Sequence, residues 1–191
     1  MTDWNIIEYK EVDSTNDIAK SMLLDGTNID KTIIISECQK KGRGQGNNKW
    51  YSDNKNGIYF SMILRPNISL SKLEGLSIKT GEILKEFLEL RFKGINLTVK
   101  PPNDIMAENR KLSGILIESI NVGQETRGII IGIGLNVSHR KLDFPEELRE
   151  TAISLSELCG KDIYDRKEIV KDFIPFFEKQ FGEYLDDLQK L

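Results

Sequence analysis

Two segments of this chain gather residue types that handle anions. The first, Lys41-Gly42-Arg43-Gly44-Gln45-Gly46-Asn47-Asn48-Lys49-Trp50, alternates glycine with an arginine and an amide. Glycine lets backbone approach a ligand closely and turn several N–H groups toward one point, which makes an anion nest. Arg43 in that setting would clamp a carboxylate or phosphate through two parallel N–H bonds, which a lysine cannot do. The second segment is Lys100-Pro101-Pro102-Asn103-Asp104, followed by Lys111-Leu112-Ser113-Gly114. Pro102 fixes a bend that can present Lys100, Asn103 and Asp104 at one place, or the two prolines simply end a strand. Gly114 leaves room for a ligand beside Lys111, where an ammonium could meet a phosphate oxygen. At about 4 Å and an effective dielectric of about 20, that contact supplies roughly 4 kcal/mol before desolvation.

Other polar residues could join these segments. Ser14, Thr15 and Asn16 suit a helix N-cap, and with Gln39 they would also form a neutral donor and acceptor set for an uncharged, urea-like head group. Trp50 and Tyr51 are either hydrophobic anchors or, for Trp50, a wall that shields a purine or phosphate from water. Residues 42–47 lack the gap and Gly-Lys-Ser/Thr ending of a P-loop. Residues 129–137 resemble a strand entering a dinucleotide fingerprint, but Val137 stands at the third glycine position and no helix follows. Gly132 and Gly134 are better read as letting a strand approach a bound base or ring. The single histidine, His139, is expected at the surface, and no metal-ligand spacing is present. Nor is there a nucleophile and base pair, so charge stabilisation is the chemistry on offer.

The elements that position these residues alternate along the chain. Residues 6–12 read as a strand, followed by an amphipathic helix that Ser14 or Thr15 can cap and that runs through Leu24 to a stop at Gly26, and 32–36 as a buried strand of β-branched residues. Residues 39–56 hold breakers and almost no apolar side chain, so they read as a loop that orders on its ligand. A strand at 58–64 and a helix at 71–92 follow. Four strand-like runs at 97–100, 104–107, 112–120 and 126–135 predict an antiparallel meander, with Glu108-Asn109-Arg110 as a tight turn. Residues 145–159 are weakly helical. Residues 165–191 are strongly so, opened by the capping pair Asp165 and Glu168.

A formal net charge of −3 lacks the basic footprint of a nucleic-acid binder, and no apolar run reaches the length of a membrane span. The N-terminus has no secretion signal, and Cys38 and Cys159 make no disulfide framework. A cytoplasmic protein is expected.

Six motifs resemble, in order and spacing, the catalytic domain of biotin protein ligases. They are Val12-Asp13-Ser14-Thr15-Asn16; Gln39 ahead of Gly42-Arg43-Gly44; Trp50 with Ser52; Lys100 with Pro102-Asn103-Asp104; Lys111 with Gly114-Ile115-Leu116; and Gly132-Ile133-Gly134-Leu135-Asn136-Val137. The resemblance covers 6–137 by motif. It implies an α+β fold, a mixed and largely antiparallel sheet covered by helices on one face, of the class II synthetase-like kind shared by biotin and lipoate ligases. It also implies activation of biotin by ATP with Mg²⁺ to biotinyl-5′-adenylate, then transfer to a lysine of a biotin carboxyl carrier protein or domain.

Carried over by position, biotin falls to Ser14, Thr15, Asn16, Gln39, Gly42, Arg43, Gly44, Gln45, Lys111 and Gly114. ATP and the adenylate fall to Arg43, Trp50, Lys100, Asn103, Lys111 and Asn136. Lys111, Arg43 and Asp104 are the expected catalytic groups, Asp104 orienting the acceptor amine. The chain departs from the family pattern at Gln45, where a second arginine is usual, at Asn47, which replaces a glycine, and at Pro101, which replaces a tryptophan. Residues 1–191 are read as one catalytic domain, without an N-terminal DNA-binding segment or a C-terminal β-barrel, so operator-binding repression is not expected. No nucleic-acid or membrane partner is expected, and the sequence leaves a homodimer open. Two rivals stay in view: a lipoate or octanoate transferase of the same fold, and a non-catalytic biotin-binding module.

Overall fold

Thr32-Ile33-Ile34-Ile35 begins β2 (Thr32–Gln39), an inner strand that pairs in parallel with β1 (Asn5–Val12) and antiparallel with β3 (Gly57–Leu64). Stiff β-branched side chains suit a strand packed on both faces, and Ile33 and Ile34 are fully buried. The computed structural model describes residues 4–190 except 26–28, 53–54, 67–74, 123–124 and 164. The expected Gly26 stop lies outside the described residues. Among the described residues seven strands hydrogen-bond in the order β1, β2, β3, β7 (Glu125–Asn136), β6 (Arg110–Val122), β5 (Asp104–Ala107), β4 (Thr98–Lys100), a mixed sheet with helices, as expected. The chain divides into two compact units, Met1–Leu73 with Ile115–Gly134, and Glu74–Gly114 with Leu135–Leu191.

In the first unit, α1 (Thr15–Leu24) packs Ala19 and Leu23 against Ile34, Ile63, Ile120 and Ile130. The β1–β2 register sets Val12 opposite Gln39, and this brings the end of β2 to the start of α1. Ser14 occupies the N-cap position, as expected, but its hydroxyl makes no capping bond. The orphan N–H of Thr15 instead donates to Gln39 Oε1 at 2.8 Å, so a residue from a neighbouring strand caps the helix.

In the second unit, β4 (Thr98–Lys100), β5 (Asp104–Ala107) and the start of β6 (Arg110–Val122) run antiparallel. Glu108 and Asn109 both have left-handed backbone, φ 51° and 60°, the geometry of a two-residue hairpin turn. The helix expected at 71–92 is α2 (Leu76–Arg91), preceded by Gly75 at φ 87°; the expected start at 71–74 lies outside the described residues. The long α4 (Arg166–Lys190) packs on α2 through Phe87 and Phe173, whose rings meet edge-on at 5.3 Å. Asp165 Oδ1 accepts from the Glu168 N–H at 2.9 Å, as the capping pair requires.

The weak helix expected at 145–159 is broken into a single 3₁₀ turn, Glu146–Leu148, and α3 (Leu155–Cys159). Residues 151–153 leave the helix because they pair with β6: Lys111 N–H donates to Thr151 O at 2.7 Å and Ile153 N–H to Lys111 O at 3.0 Å. His139 is not at the surface. It is 1% exposed and stacked on Phe144 at 4.6 Å, and burial pushes its pKa down to about 4. Cys38 and Cys159 are both thiols. Among the described residues, no helix is long and apolar enough to cross a membrane.

Candidate ligand-binding site

In the first unit Thr15, Asn16 and Gln39 of the neutral set predicted from the sequence lie in one hydrogen-bonded network, with Ser14 buried at the adjoining N-cap position. Gln39 Oε1 accepts from Thr15 N and Thr15 Oγ1, the latter at 3.2 Å, and Gln39 Nε2 donates to Ser52 Oγ at 3.2 Å. Ser61 Oγ lies 2.7 Å from Thr15 Oγ1 and 2.6 Å from Asn16 Oδ1. One hydroxyl hydrogen serves only one of these at a time, so the cluster keeps acceptor capacity for an incoming N–H. Ser14, Thr15, Asn16, Gln39, Ser52 and Ser61 are all buried. Ser61, on β3, gives no sequence signal: it is one serine within the apolar run Gly57–Leu64, and only strand pairing brings it to Thr15.

The arginine predicted to clamp an anion is occupied by the protein's own carboxylates. Arg43 Nη1 and Nη2 donate to Glu118 Oε1 and Oε2 at 3.2 and 2.9 Å, and Nη2 also donates to Asp17 Oδ1 at 2.7 Å. Glu118 Oε2 accepts in addition from Asn16 Nδ2 at 2.7 Å. Burial alone would raise the Glu118 carboxyl, but the hydrogen bonds from Arg43 and Asn16 outweigh it and hold it below the ordinary carboxylate range. Asp17 and Glu118 were not singled out as site residues. Glu118 Oε2 is bonded to Asn16 across 102 residues, a separation at which no spacing rule operates.

Within the stretch expected as an unstructured loop, residues 42–50 form a small hairpin, and 53 and 54 lie outside the described residues. Arg43 bridges Lys49 in antiparallel fashion, Gly44 N–H donates to Asn48 O at 2.8 Å, and Trp50 N–H donates to Gly42 O at 3.0 Å. Backbone pairing, which composition does not reveal, supplies the order, and Gln39 belongs to β2 rather than to the loop. Gln45 is exposed at the start of the turn, where its carbonyl accepts from Asn48 N–H at 3.3 Å. Gly46, at φ 63°, takes the left-handed conformation that glycine tolerates. At Gly42 a Cβ would lie 2.3 Å from Ser52 Oγ, so the packing there leaves no room for a side chain. Gly132 and Gly134 do let a strand be approached closely, but by the protein itself. A Cβ at Gly132 would stand 2.2 Å from Asn16 Oδ1, and one at Gly134 would stand 2.4 Å from the Trp50 indole.

The second unit carries the other predicted group. Lys111 Nζ pairs with Asp104 Oδ1 at 2.6 Å, and strand register sets Asp104 opposite Gly114. Lys100 ends β4 with an exposed side chain, Pro101 and Pro102 turn the chain, and half-buried Asn103 precedes Asp104. Asn136 is 4% exposed, and its Nδ2 donates to Lys111 O at 3.2 Å and Ile153 O at 3.1 Å. Both amide hydrogens are therefore spent on main chain, and the side chain acts first as a clasp holding the Lys111 backbone. Among the described residues, no group of three or more His, Cys, Asp or Glu side chains could hold a metal ion.

Residues 9–136 match the model of the biotin/lipoate A/B protein ligase family. The bifunctional ligase/repressor BirA of Bacillus subtilis is 34% identical over 177 residues, covering 93% of this chain and 54% of that protein. The biotin–[acetyl-CoA-carboxylase] ligase of Mycobacterium tuberculosis is 30% identical over 174 residues, covering 90% of this chain and 62% of that one. The chain thus spans little more than half the length of these relatives. The biotin protein ligase of Aquifex aeolicus, solved in complex with biotin and ATP, superposes with a TM-score of 0.80 at 33% identity, over 95% of this chain and 72% of that one.

Proposed function

The chain belongs to the biotin/lipoate A/B protein ligase family, and on that premise we propose that it activates biotin with ATP and passes the biotinyl group to a lysine of a carrier protein. The observation that carries this reading is the Gln39–Thr15–Ser61–Asn16 network, ended by the Arg43 guanidinium. Biotin has the same chemistry in the same order: a polar, uncharged ureido ring at one end and a carboxylate at the other. An octanoyl chain has no ring and the dithiolane ring of a lipoyl group has no N–H or C=O, so neither offers hydrogen-bonding partners to the neutral hydroxyl and amide groups.

In the first step a biotin carboxylate oxygen attacks the α-phosphorus of ATP; a P–O bond forms to the acyl oxygen, and the bond to pyrophosphate breaks. Arg43 receives the carboxylate and Lys111 the α-phosphate, whose equatorial oxygens gain charge in the transition state. Mg²⁺ would come as part of the ATP substrate and would offset phosphate charge there, since among the described residues no carboxylate cluster could hold it. In the second step the carrier amine attacks the acyl carbon and AMP leaves. The amine must first lose a proton, since it is almost wholly protonated at neutral pH, and in this reading the Asp104 carboxylate orients it and accepts that proton. Trp50, Lys100, Asn103 and Asn136 are assigned to the nucleotide side, with Asn136 acting through Lys111.

Release of pyrophosphate from ATP in the presence of Mg²⁺, dependent on biotin, tests the first step. Transfer to a carrier domain, read by mass, tests the second. Biotin binding without pyrophosphate release would instead make the chain a binding module.

A further inference from the structure

The two carboxylates on Arg43 are not equivalent. Glu118 takes Nη1 and Nη2 on separate oxygens, the parallel fork that fixes a guanidinium plane, and its Oε2 also holds the Asn16 amide. Asp17 takes a single hydrogen from Nη2, and its side chain is 48% exposed against 22% for Glu118. The three bonds use both Nη2 hydrogens and one on Nη1, so an anion that wants an Nη2 hydrogen must displace one of the two carboxylates. The exposed, singly bonded one is the easier to displace.

We propose that Glu118 is a positioning residue that holds Arg43 and Asn16 in fixed relation, and that Asp17 is a built-in competitor which an acidic ligand displaces from Arg43. The inference rests on the biotin reading of this residue set. It departs from simple charge counting. By charge alone, neutralising either carboxylate makes the surroundings of Arg43 more positive and strengthens anion binding. With the roles divided, the two substitutions act in opposite directions.

The test compares calorimetric dissociation constants for biotin and for biotin amide, which keeps the ring and chain but ends in an uncharged group. Asp17→Asn should tighten biotin about two- to fivefold, the strength of an exposed pair, and leave biotin amide unchanged. Glu118→Gln should weaken biotin roughly tenfold, as an ionic fork is lost, while the glutamine oxygen still accepts from Asn16 and limits the loss for the amide. Glu118→Asp keeps the charge but shortens the reach to both nitrogens, so it should weaken biotin in the same sense; it carries the test if Glu118→Gln fails to fold. Tightening of biotin by both Asp17→Asn and the Glu118 variants, or no change in either, overturns the proposal. If the native protein binds neither biotin nor its amide, the biotin reading itself fails, and this inference with it.

Discussion

The Trp50 indole lies against the main chain of Gly134: a Cβ on that glycine would stand 2.4 Å from two of the ring atoms. The hairpin that carries Arg43 is thereby seated on β7 (Glu125–Asn136) through one aromatic side chain. Gly134→Ala should unseat the ring and cost about 1–3 kcal/mol of stability, as overpacking does. In a Trp4→Phe background, where Trp50 alone reports, its fluorescence emission should shift to the red in the Gly134→Ala protein. An unchanged spectrum would mean that the ring is accommodated by other shifts.

Lys111 is held at both ends, by Asp104 at its ammonium and by Asn136 at its backbone. If its charge acts on the transferring phosphoryl group, Lys111→Ala should lower the rate of pyrophosphate release by a factor on the order of 100 or more, with biotin affinity altered far less. Asn136→Ala should act in the same direction but more weakly, because it loosens the lysine without removing it. Near-native turnover in Lys111→Ala would show that the lysine only pairs with Asp104.

Gln45 stands exposed beside the turn, at the position where the resemblance read from the sequence implies an arginine. A missing charge-assisted hydrogen bond, worth roughly 1.5–3 kcal/mol when well formed, should speed escape of the reactive adenylate by about ten- to a hundredfold. Gln45→Arg is therefore expected to reduce stray biotinylation of a bystander protein while carrier labelling persists. Both proteins would be incubated with carrier and bystander together and the biotin on each counted. Equal bystander labelling by the two would show that another group retains the adenylate.

His139 sets a pH dependence whose sign follows from its lowered pKa of about 4, against 6.5 for an ordinary histidine. Well above pH 6.5 the ring is neutral in both folded and unfolded chains and contributes nothing. As pH falls from 6.5 toward 4, the unfolded chain takes up a proton that the folded one refuses, so stability is lost on acidification. Between pH 7 and pH 5 the loss from this one group should be about 2 kcal/mol. Urea unfolding of the native protein and of His139→Gln at the two pH values would isolate it, with the variant showing the smaller difference. Equal differences would place the acid sensitivity elsewhere.

The sequence by itself determined the elements and the chemical character of the site. The β-branched run at the start of β2, the helical spacing through Phe173, Phe177 and Phe181, and the turn at Glu108 and Asn109 are local signals, written in adjacent or nearly adjacent residues. The neutral set of Thr15, Asn16 and Gln39 and the charges of Arg43 and Lys111 were legible in the same way, because residue type alone states what each group can donate or accept. Only the tertiary structure decided what each group meets. Ser61 and Glu118 complete the first set across separations of 45 to 102 residues, and sheet order with strand register alone brings them there. Backbone pairing made a hairpin of a segment whose composition reads as loop. Burial turned His139 inward, and close approach of Asn16 and Trp50 explains Gly132 and Gly134. Hydrogen-bond partners, glycine clearances and desolvation are properties of surfaces brought together by folding, and residues far apart in the chain carry no local mark of them.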